Sequence, residues 1–266
     1  MRPRMHRSLV VIVFSLAVCS VTAFAQKADN EYQVAAIVWT QTSAEKAALS
    51  YQAFSLARLR LDQDLRSNRR NKMRRAVIVD VDETVLDNSR YQAMLVKSRR
   101  PYESKTWTDW CNRAEATALP GAVEFLRYAN SRGVRVFYIT NRKVAEKEGT
   151  ARNLKAAGFP DVTDETLLIR TDSSSKEPRR QSVAATYRIV LLMGDNLNDF
   201  AEVFENSKTI DSRMTAAEQN QNQFGSRFIV LPNPMYGAWE DAAYGDTSKL
   251  TEEQKAEKRR NALRGY

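Results

Sequence analysis

Five short apolar runs punctuate the chain, at residues 76–79, 134–139, 166–169, 189–193 and 228–231, and each gives way to a polar or turn-forming stretch. Runs of this length, apolar without strict alternation, predict strands covered on both faces, as in a parallel sheet. Helical signals lie between them. Pro120-Gly121 opens a helix running to about Ser131, with Val123, Leu126 and Tyr128 among its apolar positions and Gly133 past its end. A second helix runs from about Val144 to Ala157 and stops at Gly158, and a third leads from Lys176-Glu177-Pro178 to near Tyr187. Strands alternating with helices predict an α/β fold, a right-handed doubly wound parallel sheet.

Three stretches stand outside this rhythm. From Thr42 to about Arg69 the pattern is helical. Thr42 and Glu45 are spaced as a capping box, and Ala47, Ala48, Tyr51, Phe54, Leu56, Leu59 and Leu61 form the apolar stripe. This helix reads as an accessory piece packed on the core. Residues 92–119 show no βα rhythm and carry Pro101, Tyr102, Trp107, Trp110 and Cys111, which predicts an irregular aromatic insertion after the first strand. Such an insertion is placed to roof a site, because ligands bind outside the carboxyl ends of the strands. One of its tryptophans reads equally well as a local core anchor. The tail from about Thr251 is a polar, charge-mixed helix or a disordered end. The expected organisation is 1–25 for export, 26–75 helical, 76–240 core with the insertion at 92–119, and 241–266 as a polar tail.

The first 25 residues form a separate object. Arg2, Arg4 and Arg7 precede an apolar run at 9–19, and Ala23-Phe24-Ala25 is an A-x-A cleavage pattern, so the mature chain is expected to begin near Gln26. The run is short for a membrane span and is diluted by Ser15, Ser20 and Thr22. Secretion across an inner membrane, to a periplasmic or extracellular location, is therefore favoured over a stable span. Leu16-Ala17-Val18-Cys19 offers a weaker lipoprotein signal, since Val18 is bulky where a small residue is wanted.

Removing that segment takes away His6, the only histidine, and Cys19, one of two cysteines, leaving Cys111 alone. The mature chain then has no intramolecular disulfide, no Ser-His-Asp triad and no histidine-rich zinc site. Its chemistry must rest on carboxylates, lysine, arginine and hydroxyls. The formal net charge of +9 falls to +6 when the three signal arginines are subtracted (9 − 3), which suits an anionic substrate. The basic clusters at 69–75, 98–100, 179–180 and 258–260 are short and scattered, and no nucleic-acid motif accompanies them. They read as solvated surface. With 266 residues, 43% hydrophobic and 27% charged, the chain can bury one full core.

Candidate chemistry gathers at the strand ends. Asp80 and Asp82 follow the first run, one residue apart, so both carboxylates can converge on one hard cation such as Mg²⁺, although turn-forming aspartates alone would give the same pair. Thr140-Asn141 follows the second run, Lys176 stands at a helix start, and Asp195 and Asp199 follow the fourth run. In a doubly wound sheet these loops emerge on one edge. The set suits phosphoryl transfer. Asp80 can act as nucleophile and Asp82 as acid and base. Thr140, with the N–H groups from Asn141 onward, can hold phosphate oxygens, and Lys176 can neutralise developing charge. Asp80 and Asp195 can clamp the metal, with Asp199 one turn further on to orient its waters.

These strings carry a resemblance. Asp-x-Asp-x-Thr at 80–84, the hydroxyl at 140, Lys176 and Gly-Asp-x-x-x-Asp at 194–199 resemble the four motifs of the haloacid dehalogenase superfamily. Residues 78–91 and 190–200 resemble the two signatures of bacterial class C acid phosphatases, and the likeness extends to Trp107-Thr108-Asp109-Trp110 and to 232–237. The resemblance implies a secreted or surface-bound, Mg²⁺-dependent acid phosphatase of broad specificity that acts on nucleoside monophosphates and other phosphomonoesters. It also implies an aromatic sandwich for the base from Trp107 and Tyr236, and a homodimer among the possible states. Alternatives are a catalytically weak binding or storage protein on the same fold, or dehalogenase or mutase chemistry. The presence of both Asp80 and Asp82 argues against the binding protein and, with the four-carboxylate metal site, against dehalogenation.

Overall fold

The computed structural model describes residues 30–67, 72–245 and 250–266, so the expected export segment at 1–25 lies outside the described residues. Two helices, α1 (Val34–Thr42) and α2 (Ala44–Ser67), precede the sheet. The expected Thr42–Glu45 capping box does not form. Thr42 is the last residue of α1 and donates its hydroxyl to the Val38 carbonyl at 2.7 Å. Ser43, extended at ψ 134°, makes the break, and its Oγ accepts the Lys46 N–H at 3.0 Å. The cap is therefore one residue later than the pattern suggests, because the preceding helix has already claimed Thr42.

The first strand, β1 (Arg75–Val79), is followed by a small antiparallel pair, β2 (Leu86–Asp87) and β3 (Thr117–Ala118), registered Leu86 to Ala118 and Asp87 to Thr117. This pair closes the neck of the insertion, which is helical rather than irregular: α3 (Ser89–Ser98) and α4 (Ser104–Arg113). In α4 the buried residues are Trp107, Trp110 and Cys111, which is i, i+3, i+4 spacing, so the aromatic cluster is a helix face packed inward. Tyr91 sits edge-on to Trp107 with ring centroids 5.1 Å apart.

The remainder alternates as expected: α5 (Ala122–Ser131), β4 (Arg135–Ile139), α6 (Lys147–Ala157), β5 (Leu167–Leu168), α7 (Glu177–Ala184) and β6 (Arg188–Gly194). Then come α8 (Glu202–Asn206), α9 (Ile210–Gln219), β7 (Phe228–Val230), α10 (Ala238–Tyr244) and α11 (Glu252–Asn261). Of the two readings of the tail, the helix is the one seen. Thr251 Oγ1 caps it by accepting the Gln254 N–H, and Arg259 lies 3.5 Å from the Tyr32 ring centre.

The main sheet has the order β5-β4-β1-β6-β7 and every pairing in it is parallel. Its strands alternate between two apolar layers. Val77, Val79, Val136, Tyr138, Leu191 and Met193 face the layer completed by Phe54, Leu61, Phe125 and Leu154. Ala76, Ile78, Phe137, Ile139 and Leu192 face the layer completed by Val183, Phe200, Phe204 and Phe228. Burial on both faces explains the unbroken apolar runs. The chain winds outward from β1 through β4 to β5, then returns to β6 and β7 on the other side. The switch point therefore falls between β1 and β6, the place where such sheets bind ligands.

One close contact ties the insertion to the core. A Cβ on Gly149 of α6 would stand 2.5 Å from the Cys111 carbonyl oxygen and 2.6 Å from the Asn112 Cα of α4. Both are backbone atoms and cannot step aside alone. Gly149→Ala is expected to lower the unfolding free energy by about 1–3 kcal/mol, by forcing the two helices apart. Urea titration of wild type and variant measures it, and an unchanged midpoint would refute the contact.

Candidate active site

The ends of β1 and β6 are held together directly, the Asp80 N–H donating to the Met193 carbonyl at 2.9 Å. Beyond Asp80 the chain doubles back: the N–H groups of Val85 and Leu86 return to the Val81 carbonyl at 3.1 and 2.9 Å, and Glu83 takes a left-handed φ of 56°. Beyond β6, Gly194 leaves room for a side chain from the same loop. A Cβ there would stand 2.7 Å from the Asp199 Cγ, so only glycine lets Asp199 fold back over the strand end. Asn196 fixes that return. Its Oδ1 accepts the Asn198 N–H at 3.2 Å, while its own N–H donates to Asp199 Oδ2 at 3.0 Å.

Three carboxylates meet at this edge. Asp80, Asp195 and Asp199 each bring an oxygen into a group whose members lie within 4.8 Å of one another. Lys176 Nζ donates to Asp80 Oδ1 and, at 2.6 Å, to Asp199 Oδ1. Asn233 Nδ2 donates to Asp195 Oδ2 at 2.8 Å. One ammonium against three carboxylates leaves two negative charges in a buried place. Burial and that surplus together shift Asp80, Asp195 and Lys176. Burial, and then Asp199 and Glu83, push the Asp195 carboxyl up to about 8. Burial raises Asp80 as well, with Lys176 opposing and the neighbouring aspartates adding to the rise. Lys176 is itself raised, because Asp199 and Asp80 outweigh the lowering effect of its burial. An all-oxygen set short of two positive charges fits a divalent hard cation.

The Asp82 carboxylate, expected to join the metal ligands, lies outside that group. Its Oδ1 accepts Arg142 Nε and Nη2 at 3.0 and 2.8 Å and Asn88 Nδ2 at 2.9 Å, and its Oδ2 has a 3.4 Å contact from Thr140 Oγ1. A buried guanidinium, 2% exposed, has taken the role that a cation would have played for Asp82. Arg142 also donates to Thr150 Oγ1 at 3.0 Å, and Asn88 Oδ1 accepts the Trp110 Nε1–H at 2.8 Å. Neither Arg142 nor Asn88 was among the expected site residues. The available signal was position, since Arg142 directly follows Thr140-Asn141 at a strand end.

Thr140 is fully buried and its Oγ1 accepts the Arg142 N–H at 3.1 Å, while Asn141 is exposed on the same loop. Trp107 and Tyr236 line one open cleft of about 950 Å³ together with Asp80, Asp82, Asn141 and Lys176. Trp107 is only 9% exposed, whereas Tyr102 beside it in the cleft is 59% exposed. The Tyr236 ring is half-buried, and its hydroxyl donates to Glu83 Oε2. Glu83, another unexpected member, is pushed up to about 8 by burial and by Asp82.

The strand order, with acidic loops after β1 and β6, places the chain among the haloacid dehalogenase-like α/β proteins. More narrowly, the family model for the HAD superfamily, subfamily IIIB (acid phosphatase), matches residues 13–239, and the chain belongs to that family. A solved class C acid phosphatase from Bacillus anthracis is 41% identical, with a match covering 88% of this chain and 98% of that one at a TM-score of 0.84. Its tungstate-bound form is 42% identical at the same TM-score of 0.84. Acid phosphatase 1 of Solanum lycopersicum is 28% identical over 167 residues, 60% of this chain and 57% of that one. A stem 31 kDa glycoprotein of Glycine max is 26% identical over 165 residues, covering 60% of this chain and 58% of that one. The chain thus spans less than 60% of the length of these curated relatives.

Asp195 yields a test of the charge surplus in the metal-free protein. Its folded value lies above its unfolded one, so its contribution is fully present below the ordinary carboxyl range and is lost as the pH rises through about 8. In chelator, Asp195→Asn is expected to be close to neutral at pH 4. At pH 8 it is expected to be more stable than wild type by about 1 kcal/mol or more. Denaturant titrations at the two pH values measure this, and a variant less stable than wild type at pH 8 would contradict it.

Proposed function

We propose that this protein is a secreted, Mg²⁺-dependent phosphomonoesterase of broad specificity, with nucleoside monophosphates among its substrates, working through an aspartyl-phosphate on Asp80. The observation that carries the proposal is the contact of Lys176 with both Asp80 and Asp199 inside the three-carboxylate group. A divalent cation bound by Asp80, Asp195 and Asp199 supplies the charge that lets an anionic phosphate approach a carboxylate nucleophile. Asp80 attacks phosphorus in line; the new carboxyl–phosphorus bond forms as the bond to the leaving oxygen breaks. Asp82 gives that oxygen a proton and later takes one from the water that hydrolyses the acyl phosphate. Arg142 and Asn88 hold Oδ1 of Asp82, so Oδ2, which meets Thr140 Oγ1 at 3.4 Å, is the oxygen assigned to proton transfer. Thr140 and the Asn141 N–H take phosphate oxygens, and Lys176 offsets charge as it builds.

Tungstate is a tetrahedral oxyanion, and its binding by the Bacillus anthracis relative supports a phosphate-shaped ligand for this protein. The cleft has room for a nucleoside, and Trp107, Tyr236 and the more open Tyr102 offer ring faces that tolerate any base. Export rests on the amino-terminal pattern of arginines, apolar run and A-x-A. Among the described residues no helix is long and apolar enough to cross a membrane. A binding or storage role has no need of an ammonium against Asp80, which favours turnover.

Two experiments test the proposal. Hydrolysis of p-nitrophenyl phosphate and AMP should fall by about three orders of magnitude or more in Asp80→Asn, and should vanish in EDTA and return with added Mg²⁺. Activity that survives both treatments would remove the mechanism. In kcat/KM, which reports the first step alone, Asp82→Asn should cost most with alkyl phosphates and least with p-nitrophenyl phosphate, roughly 10²–10⁴-fold against a small loss, because good leaving groups depart without a proton. A loss independent of the leaving group would rule out the acid role of Asp82.

A further inference from the structure

The adjacent arginines 179 and 180 read as surface charge in the sequence, yet the fold turns them inward. Arg180 is 4% exposed and Arg179 is half-buried. They sit one turn into α7, just past Lys176, and reach in different directions. Arg179 Nη1 donates to the Thr140 carbonyl at 2.5 Å, and its Nη2 donates to Asn141 Oδ1 at 2.6 Å and to the Ser175 carbonyl at 2.9 Å. Arg180 Nη1 forks to the carbonyls of Asn198 and Asp199 at 3.0 and 3.1 Å. Behind it, Glu177 and Glu205 accept from Arg180, and Glu205 Oε1 also takes the Lys176 N–H at 3.1 Å.

We propose that Arg179 and Arg180 are positioning residues with separate targets: Arg179 aligns the loop that holds the phosphate, and Arg180 aligns the turn that holds the metal. This rests on the phosphatase reading above. The C=O and the following N–H of a trans peptide point in opposite directions. Pinning the Thr140 carbonyl to α7 therefore fixes the direction of the Asn141 N–H, the group assigned to a phosphate oxygen. The same argument applies to the carbonyls at 198 and 199, which frame the turn carrying the Asp199 carboxylate. Because Lys176 begins the same helix, one rigid element sets the lysine, the phosphate loop and the metal turn against one another. Guanidinium suits the task, since its separate nitrogens reach several fixed acceptors at once, in Arg180 the carbonyls from Nη1 and the glutamates from Nη2.

Calorimetric titration of the full chain with two probes, Mg²⁺ alone and then orthophosphate at saturating Mg²⁺, separates the two roles. Arg179→Gln is expected to weaken orthophosphate binding about tenfold or more while leaving the Mg²⁺ constant within about twofold. Added guanidinium ion should restore part of the loss in Arg179→Ala. Arg180→Gln is expected to do the reverse, weakening Mg²⁺ about tenfold or more and sparing orthophosphate once Mg²⁺ is saturating. If Arg180→Gln fails to fold, Arg180→Lys keeps the charge but has one nitrogen in place of three, so drawn to Glu177 and Glu205 it cannot also hold both carbonyls, and should show the same selective loss. Equal changes in both constants, or a lowered thermal midpoint with neither constant changed, would reduce the pair to general structural support and overturn the proposal. A wild type that binds neither probe would instead remove the phosphatase reading itself.

Discussion

A single ammonium held between two buried carboxylates is the constraint on which the rest of this site depends. Lys176 reaches Asp80 and Asp199 from a helix start far along the chain, and Asp195 stands in the same group. Burying these charges is tolerable only if each is paired, since a lone buried carboxylate is strongly disfavoured. The pairing is deliberately incomplete. One ammonium among three carboxyl groups leaves the site short of positive charge, and burial first, then the neighbouring acids, raises the Asp80 and Asp195 carboxyls. A site fully neutralised by its own lysines and arginines would have no call for a cation and no pull on one. Asp82 is handled differently: its charge is met by Arg142, and its carboxylate stands apart from the three-carboxylate group.

The sheet makes that arrangement repeatable. Residues separated by more than a hundred positions meet because β1 and β6 are neighbours at the point where the winding reverses. The strand ends are locked by the Asp80 N–H to Met193 bond, so the two acidic loops leave from fixed origins. Local devices then aim the side chains: the left-handed Glu83 turns the first loop, and the absence of a side chain at Gly194 admits Asp199. None of these devices is strong alone. Their value lies in removing freedom that the charges would otherwise use to move apart.

Much of this was legible in the sequence, and the reasons are physical. Buried parallel strands leave unbroken apolar runs, so all five strands of the main sheet were expected close to where they lie, and the strand ends pointed to Asp80, Thr140 and Asp195. What failed to register was periodicity hidden by other signals. Within the stretch expected to be helical, α1 carries six consecutive apolar residues, Val34 to Trp39, which mask its own repeat, and α4 was obscured by its aromatics although Trp107, Trp110 and Cys111 keep helical spacing. Partnership was harder still. Nothing along the chain says that Arg142 meets Asp82 or that Arg180 is buried, because an arginine looks the same in sequence whether it is solvated or clamped. The resemblance supplied motif residues, and only the fold could supply their buried counter-charges.

The accessory pieces add a further division of labour. Lys46 of α2, 7% exposed, donates to the Pro232 carbonyl at 3.1 Å, and Gln33 donates to the Met235 carbonyl at 3.1 Å. Both fasten the segment that presents Asn233 to Asp195 and Tyr236 to Glu83. Asn30 meanwhile donates to the Arg100 carbonyl at 3.1 Å, on the insertion that carries Tyr102 and Trp107. The residues before the sheet thus touch both aromatic walls of the cleft, although none of them belongs to the alternating core. Chemistry at the strand ends is set by the sheet, which tolerates little displacement. The two walls are tied together by a helical segment that itself packs on the sheet through Phe54 and Leu61. Asn30 and Gln33 therefore bear on the walls of the cleft, while Lys46 bears on the segment that carries Asn233 to Asp195.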